Sequence, residues 1–429
     1  MRELEKVFNR KINENGDVSY STTGDNLVDL LFMTEYYSKN LNEVSIGTSD
    51  KEKLFSMFIR DPRKGLGKRD LGRKLMKESE VSIEDIVFAG RYDDVFEVMG
   101  VNDESVGFIW NEVNKGNALA KKWMPRLTSK NRDKALQICK IMNISQKYYR
   151  KTIKEESTIE YKLSHKEFEN INFEHIPSLA MLKYAECFRN KEELEEKYYQ
   201  YINKVKDGTA KINTSVTNVY DLYLASKKDN GLPIDKMFEQ MKGKSLNMIP
   251  IVDTSGSMTW ENDAFGKALA VGHYIAKVSS YAPDLAISFS SYPQLLNING
   301  LNYTEAIEKM YTGDCSNTDL GKVLDLIKDL KEDLPDYFVV LSDMEFDEGS
   351  NKSLDRLMSD WKERDIKTRI IWWNFNGRNK TIPESDEYGN IFFSGYSPQL
   401  LGFLQSGVDG KEFLDNLLSE YAKYIENSK

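Results

Sequence analysis

A chain of 429 residues, 40% apolar and 30% charged, is long enough for two or three cores and too apolar for a disordered polymer. No apolar run nears the ~20 residues of a membrane helix, and the opening MRELEKVFNRKINENG lacks a signal-peptide core. Three scattered cysteines (Cys139, Cys187, Cys315) and three histidines argue against a disulfide framework or a zinc cluster, so the expectation is a cytoplasmic protein without a membrane partner.

The net charge of −9 is unevenly spread. Residues 1–245 carry 42 Lys and Arg against 39 Asp and Glu, residues 246–429 carry 17 against 29, and the block 101–150 carries 10 against 4. An acidic second half beside a near-neutral first half with a basic patch implies two domains with different partners.

Residues 1–25 read as a polar lead-in with turn signals at Asn15-Gly16 and Thr23-Gly24-Asp25. From Asn26 the spacing turns helical, with Leu27, Leu30, Leu31 and Tyr37 on one face and Asp25 or Asn26 able to cap. Helical patterns return at 70–78, 82–89, 91–99, 129–141 (with Ser129 as N-cap), 145–153, 177–188, 191–205, 216–227 and 233–242. Short helices with short connections predict an α-helical, HEAT-like array over residues 1–245.

After 245 the pattern changes. Strands are expected at 247–252, 285–290, 337–342, 368–373 and 390–393, and helices at 263–280, 303–311, 318–331, 352–363 and 410–426. Strands separated by helices predict a Rossmann-like α/β domain with a mostly parallel sheet over residues 246–429. Pro250 fits poorly in the first strand, since proline cannot donate to a ladder.

That first strand ends in Asp253-Thr254-Ser255-Gly256-Ser257 and runs on into a helix. In such sheets ligands collect at the carboxyl ends of strands. One carboxylate and two hydroxyls at i, i+2 and i+4 are hard oxygen donors of the kind Mg²⁺ takes, with Gly256 permitting the tight turn. Two other strand-end loops offer further donors: Thr318 in the segment from Asp314 to Asp319, and Asp343 directly after the strongest strand. Taken singly, each is equally well an N-cap or a turn residue. Together they place oxygen donors at one edge of one sheet.

The set Asp253, Ser255, Ser257, Thr318 and Asp343 resembles the metal-ion-dependent adhesion site (MIDAS) of von Willebrand factor A domains. The stretches 21–31, 60–70, 176–181, 342–347 and 394–398 extend the likeness. With them, the chain resembles Ro (TROVE plus von Willebrand factor A) proteins, nearest to an uncharacterised Ro-like family of viruses, phages and plants. The resemblance implies a bound divalent ion, Mg²⁺ or else Mn²⁺ or Ca²⁺, whose shell a partner's carboxylate can complete. It also implies RNA binding by a helical-repeat ring, for which the helical part here is short.

Two basic segments are candidates for RNA. One carries Arg60, Arg63, Lys64, Lys68, Arg69 and Arg73; the other carries Lys115, Lys121, Lys122, Arg126, Lys130 and Arg132. Trp110, Trp123, Tyr148 and Tyr149 lie nearby and could stack on bases. The bland alternative is a solvated charged face over core aromatics. No GxxxxGK[ST] phosphate loop and no GxSxG elbow occurs. An aspartyl phosphotransferase would want a second aspartate where Ser255 stands. The sequence therefore predicts metal-dependent binding without turnover, with RNA binding or ribonucleoprotein scaffolding as the role. The alternative is a protein–protein adhesion module whose partner supplies a carboxylate.

Overall fold

The computed structural model describes residues 9–212, 214, 217–228, 231–259, 263–311, 316–330, 333–377, 379–384, 388–396, 398–403 and 410–428. Contacts divide the chain into two compact units, Met1–Glu43 with Thr217–Lys429, and Val44–Val216. This division differs from the expected 1–245 and 246–429. Helix Val219–Ser226 packs on helix Ala264–Val278, and helix Asn26–Phe32 packs on a sheet strand, where Phe32 meets Phe392 edge-on at 5.4 Å. Helical periodicity reports that a face is buried and not which element buries it.

The larger unit is built on a six-stranded sheet. Its strands are β3 (Met248–Asp253), β4 (Leu285–Phe289), β5 (Pro293–Asn297), β6 (Tyr337–Ser342), β7 (Arg369–Asn374) and β8 (Ile391–Ser394), after a small hairpin of β1 (Arg10–Ile12) and β2 (Val18–Tyr20). The sheet order is β5-β4-β3-β6-β7-β8, parallel except for β5. Every residue of β3 and β6 is buried, as the unbroken apolar runs require of strands covered on both faces. Pro250 keeps its place in β3 opposite Val339, while the ladder to β4 begins only at Ile251.

Two expectations are corrected here. The lead-in contains the β1–β2 hairpin, whose turn holds Gly16 at φ +93°, a region glycine enters without steric cost. The edge strand β5 was not expected, because its proline-led, largely exposed segment shows no alternation.

The unit Val44–Val216 is a helical array, beginning Asp50–Arg60, Arg69–Glu78, Ile83–Ala89, Tyr92–Val98, Asp103–Asn114, Ala118–Trp123, Arg132–Ile141 and Gln146–Thr152. The helices Asp103–Asn114 and Ala118–Trp123 were not foreseen, although Asn102 and Asn117 cap them. Ser129 is not the N-cap: that position is Asn131, and the Ser129 hydroxyl donates to the Arg126 carbonyl at 2.9 Å and accepts the Asn131 N–H at 3.2 Å. No described helix is long and apolar enough to cross a membrane.

Candidate functional site

The order of the sheet reverses between β3 and β6, and the carboxyl ends of these neighbouring strands form the switch point at which open α/β sheets bind ligands. Asp253 is the last residue of β3 and Asp343 follows the last residue of β6. The fold thus brings together two carboxylates 90 positions apart in the sequence.

Asp253 is fully buried, and both its oxygens are bonded: Oδ1 accepts the Ser255 N–H at 2.9 Å, Oδ2 the Ser342 hydroxyl at 2.5 Å. Ser255 is buried, and its Oγ lies 3.1 Å from that of Ser257, on the 3₁₀ turn Gly256–Thr259. Burial, together with the facing charge of Asp343, pushes the Asp253 carboxyl up to about 7, against the lowering effect of the Ser342 and Ser255 bonds. A like charge close by and loss of water both favour the protonated acid. Ser342 was overlooked as a contributor; the signal available was a hydroxyl directly preceding the strand-end aspartate.

Thr318 is buried, and its placement runs through the backbone. Its N–H donates to Asp347 Oδ2 at 3.2 Å, and its carbonyl accepts the Asp347 N–H at 3.0 Å. The next residue, Asp319, donates its N–H to the Ser290 carbonyl just past β4 at 3.0 Å. Asp314 and Cys315 of this loop lie outside the described residues. Glu345, two positions after Asp343, is also buried and holds a raised pKa, from burial first; bonds from Asn379 and the Glu14 N–H oppose the rise.

The donor chemistry fits a hard divalent cation: the carboxylates of Asp253 and Asp343 and the hydroxyls of Ser255 and Ser257 stand at or just past the ends of β3 and β6, and the Thr318 hydroxyl comes from the segment before helix Leu320–Lys328. Among the described residues no three His, Cys, Asp or Glu side chains are grouped as metal ligands, so the fit rests on hydroxyls as much as on carboxylates.

The basic candidates fare differently in the helical unit. Arg60 is only 3% exposed and donates to Asp94 Oδ2 at 2.5 Å; Arg73 donates from Nε to Asp94 Oδ1 at 2.5 Å and from Nη2 to Asp93 at 3.1 Å. Arg63 stacks over Phe88 and bonds its carbonyl and Asp61. Arg126 donates to the carbonyls of Ile153 (3.0 Å) and Lys121 (3.2 Å). As phosphate contacts, Arg60 and Arg73 are corrected: both guanidiniums are spent on Asp94.

The glycine-rich loop they flank is a folded connector. A Cβ on Gly65 would sit 1.8 Å from the Phe58 carbonyl oxygen, and the Lys68 N–H is bonded to the Ile59 carbonyl at 2.8 Å. Lys64 and Arg69 are exposed, and Lys68 is half-buried.

A cleft of about 270 Å³ remains among Arg69, Arg91, Lys122, Trp123, Arg126 and Lys134. There the Arg91 guanidinium lies 3.8 Å from the Trp123 ring centroid. Lys121, half-buried, is outside the cleft lining. Of the other aromatics, Trp110 stacks on the fully buried Tyr149 inside the core, while Tyr148 is exposed.

Two family models match the chain, both described as a domain of unknown function: DUF2828 over residues 113–241 and DUF7788 over residues 247–426. The uncharacterized protein L728 of Acanthamoeba polyphaga mimivirus is 23% identical over 330 residues, covering 67% of this chain. The match takes in 56% of that relative, so the chain spans little more than half of the curated protein it matches. The crystal structure of the Deinococcus radiodurans Ro (RSR) protein superposes with a TM-score of 0.40 at 14% identity, covering 93% of each chain. At that score the likeness carries no assignment of function.

Proposed function

We propose that this protein is a divalent-cation-dependent binding protein without catalytic turnover. The cation would sit at the carboxyl edge of the sheet, among Asp253, Ser255, Ser257, Thr318 and Asp343. The observation that carries this reading is the pair of buried carboxylates at the switch point, Asp253 ending β3 and Asp343 directly following β6. Two buried like charges are costly unless a counter-charge or a proton relieves them.

Asp253 and Asp343 supply the negative charge, Ser255 and Ser257 supply hydroxyls from the turn, and Ser342 orients Asp253 through the 2.5 Å bond. When bound, the cation would offer an open position to an anionic oxygen of the partner. Mg²⁺ suits this donor set, with Mn²⁺ and Ca²⁺ as alternatives. A thermal-shift titration with each ion tests the reading. Wild type should gain stability with rising Mg²⁺ and Asp253→Asn should not, because the amide keeps the shape and one acceptor oxygen but removes the charge. No shift in wild type at millimolar metal would sink it.

We propose RNA as the partner, contacted by the helical unit; the alternative partner is a protein that lends a carboxylate to the cation. What favours RNA is the cleft, lined by five basic side chains beside the Trp123 ring, of which Arg91 pairs with Asp93 at 2.9 Å and Lys134 with Glu97 at 2.7 Å. Cations with an aromatic platform suit phosphate and base together. Retention of a structured and a single-stranded RNA at two salt concentrations tests it, since phosphate contacts weaken steeply with salt. Binding unchanged by salt, or by replacing Lys122 and Lys134 with alanine, would leave the protein-adhesion reading in its place.

A further inference from the structure

The turn of the N-terminal hairpin is bonded to the loop that carries Asp343. Asn13 Nδ2 donates to the Phe346 carbonyl at 2.9 Å, Asn15 Nδ2 to the Glu345 carbonyl at 2.7 Å, and the Glu14 N–H to Glu345 Oε2 at 2.9 Å. Asn379 completes Glu345 by donating to Oε1 at 2.9 Å. Next along, Gly16 pairs with Asp347 as an antiparallel bridge. Asp17, itself buried, accepts the N–H groups of Gly349 (3.2 Å) and Asn351 (2.8 Å), and Asn351 Nδ2 donates to the Val18 carbonyl at 2.5 Å.

Asp347 is the same residue that brackets Thr318 on both backbone sides. One face of the loop between β6 and helix Ser350–Glu363 is therefore fixed by a hairpin some 330 positions earlier in sequence. A hairpin of two three-residue strands is not stable alone in water. Its order derives from these contacts and from the Tyr20–Ile382 bridge, two backbone bonds of 2.8 Å, so the hairpin folds together with the loop.

We infer that the N-terminal hairpin positions the candidate cation site: through Glu345 and Asp347 it sets where Asp343 and Thr318 stand relative to Asp253. Asn13, Asn15 and Asp17 are then positioning residues, and cation binding and hairpin order are linked. Linkage of this kind is reciprocal, so whatever the hairpin adds to cation affinity, the cation returns as hairpin stability. The inference rests on the cation reading above.

The test uses the full chain, with Mg²⁺ as the probe. In Asn15→Ala, the Mg²⁺ concentration giving half the thermal shift should rise about fivefold or more, and Asn15→Gln, which keeps an amide donor, should recover part of it. Independently, Mg²⁺ should slow amide hydrogen exchange over residues 9–20 of wild type. That readout decides the matter alone if Asn15→Ala does not fold. A wild type that responds to Mg²⁺, with Asn15→Ala responding at the same concentration and hairpin exchange unchanged, overturns the positioning role while sparing the cation site. A wild type with no Mg²⁺ response at all removes both.

Discussion

In the helical unit Asp94 lies between Arg60 and Arg73, whereas at the sheet edge Asp253 lies opposite Asp343. Both aspartates are completely buried. The first is matched within its own unit: two guanidiniums and the Arg91 N–H, at 2.8 Å, occupy its oxygens. The second faces its own sign of charge, and among the described residues the donors against it are a hydroxyl and an N–H. A matched cluster is framework. A cluster of one sign is a place where a cation from outside gains the most, and it is the better functional candidate.

The largest effect expected from this contrast belongs to the matched side. Asp94→Ala should destabilise the protein by about 3–5 kcal/mol, because it leaves Arg60 buried with no counter-charge; chemical denaturation measures it. A loss below about 1 kcal/mol would mean that Arg60 finds water, and the contrast between the clusters would weaken.

On the other side, Mg²⁺ at a hundred times its dissociation constant should stabilise wild type by about 2.7 kcal/mol, an effect that Asp253→Asn removes. The folded pKa of Asp253 stands above its ordinary 3.8. This group's contribution to metal-free stability is therefore complete below that value and lost as pH rises to about 7. The Mg²⁺ effect should grow over the same window, since the ion replaces the proton. A response independent of pH between 5 and 8 would separate the cation from Asp253.

A third buried ionisable group offers a control of opposite sign. His273 is 1% exposed between the rings of Phe238 and Tyr303, neither ring nitrogen has a hydrogen-bond partner among the described residues, and burial, with Lys277 and Lys242 assisting, lowers it to about 3. The unfolded chain takes up this proton first. Stability from His273 is thus full above about pH 6.5 and falls by up to about 1.4 kcal/mol per pH unit as pH drops toward 3. His273→Phe, which suits the aromatic surroundings, should flatten that slope in denaturation curves at pH 4 to 7. An unchanged slope would show that the ring is protonated in the fold.

The smallest effects are expected at the exposed cations. Lys64→Ala with Arg69→Ala should alter stability by no more than about 0.5 kcal/mol, yet lower the salt dependence of any RNA retention. Replacement of Arg60 or Arg73 is unsuitable for that purpose, because it would test the fold instead.

What the sequence settled by itself was local and periodic. The apolar runs at β3 and β6 need cover on both faces, and they end where Asp253 and Asp343 stand, so the strands and the donor residues were legible together. The hairpin β1–β2 and the edge strand β5 were not, because three exposed residues or a proline-led edge leave no alternation to read. Nor does composition distinguish Arg60 from Lys64: both look like surface cations in a glycine-rich stretch until Asp94 arrives from another helix. Tertiary structure alone decided three things: that Asp253 and Asp343 are neighbours, that residues 9–43 belong with the sheet, and that Asn15 reaches Glu345. The physical reason is common to all three. A side chain's chemistry is carried by its own residue, but its burial and its partner's charge come from chain segments whose approach is set by packing, at separations that periodicity does not encode.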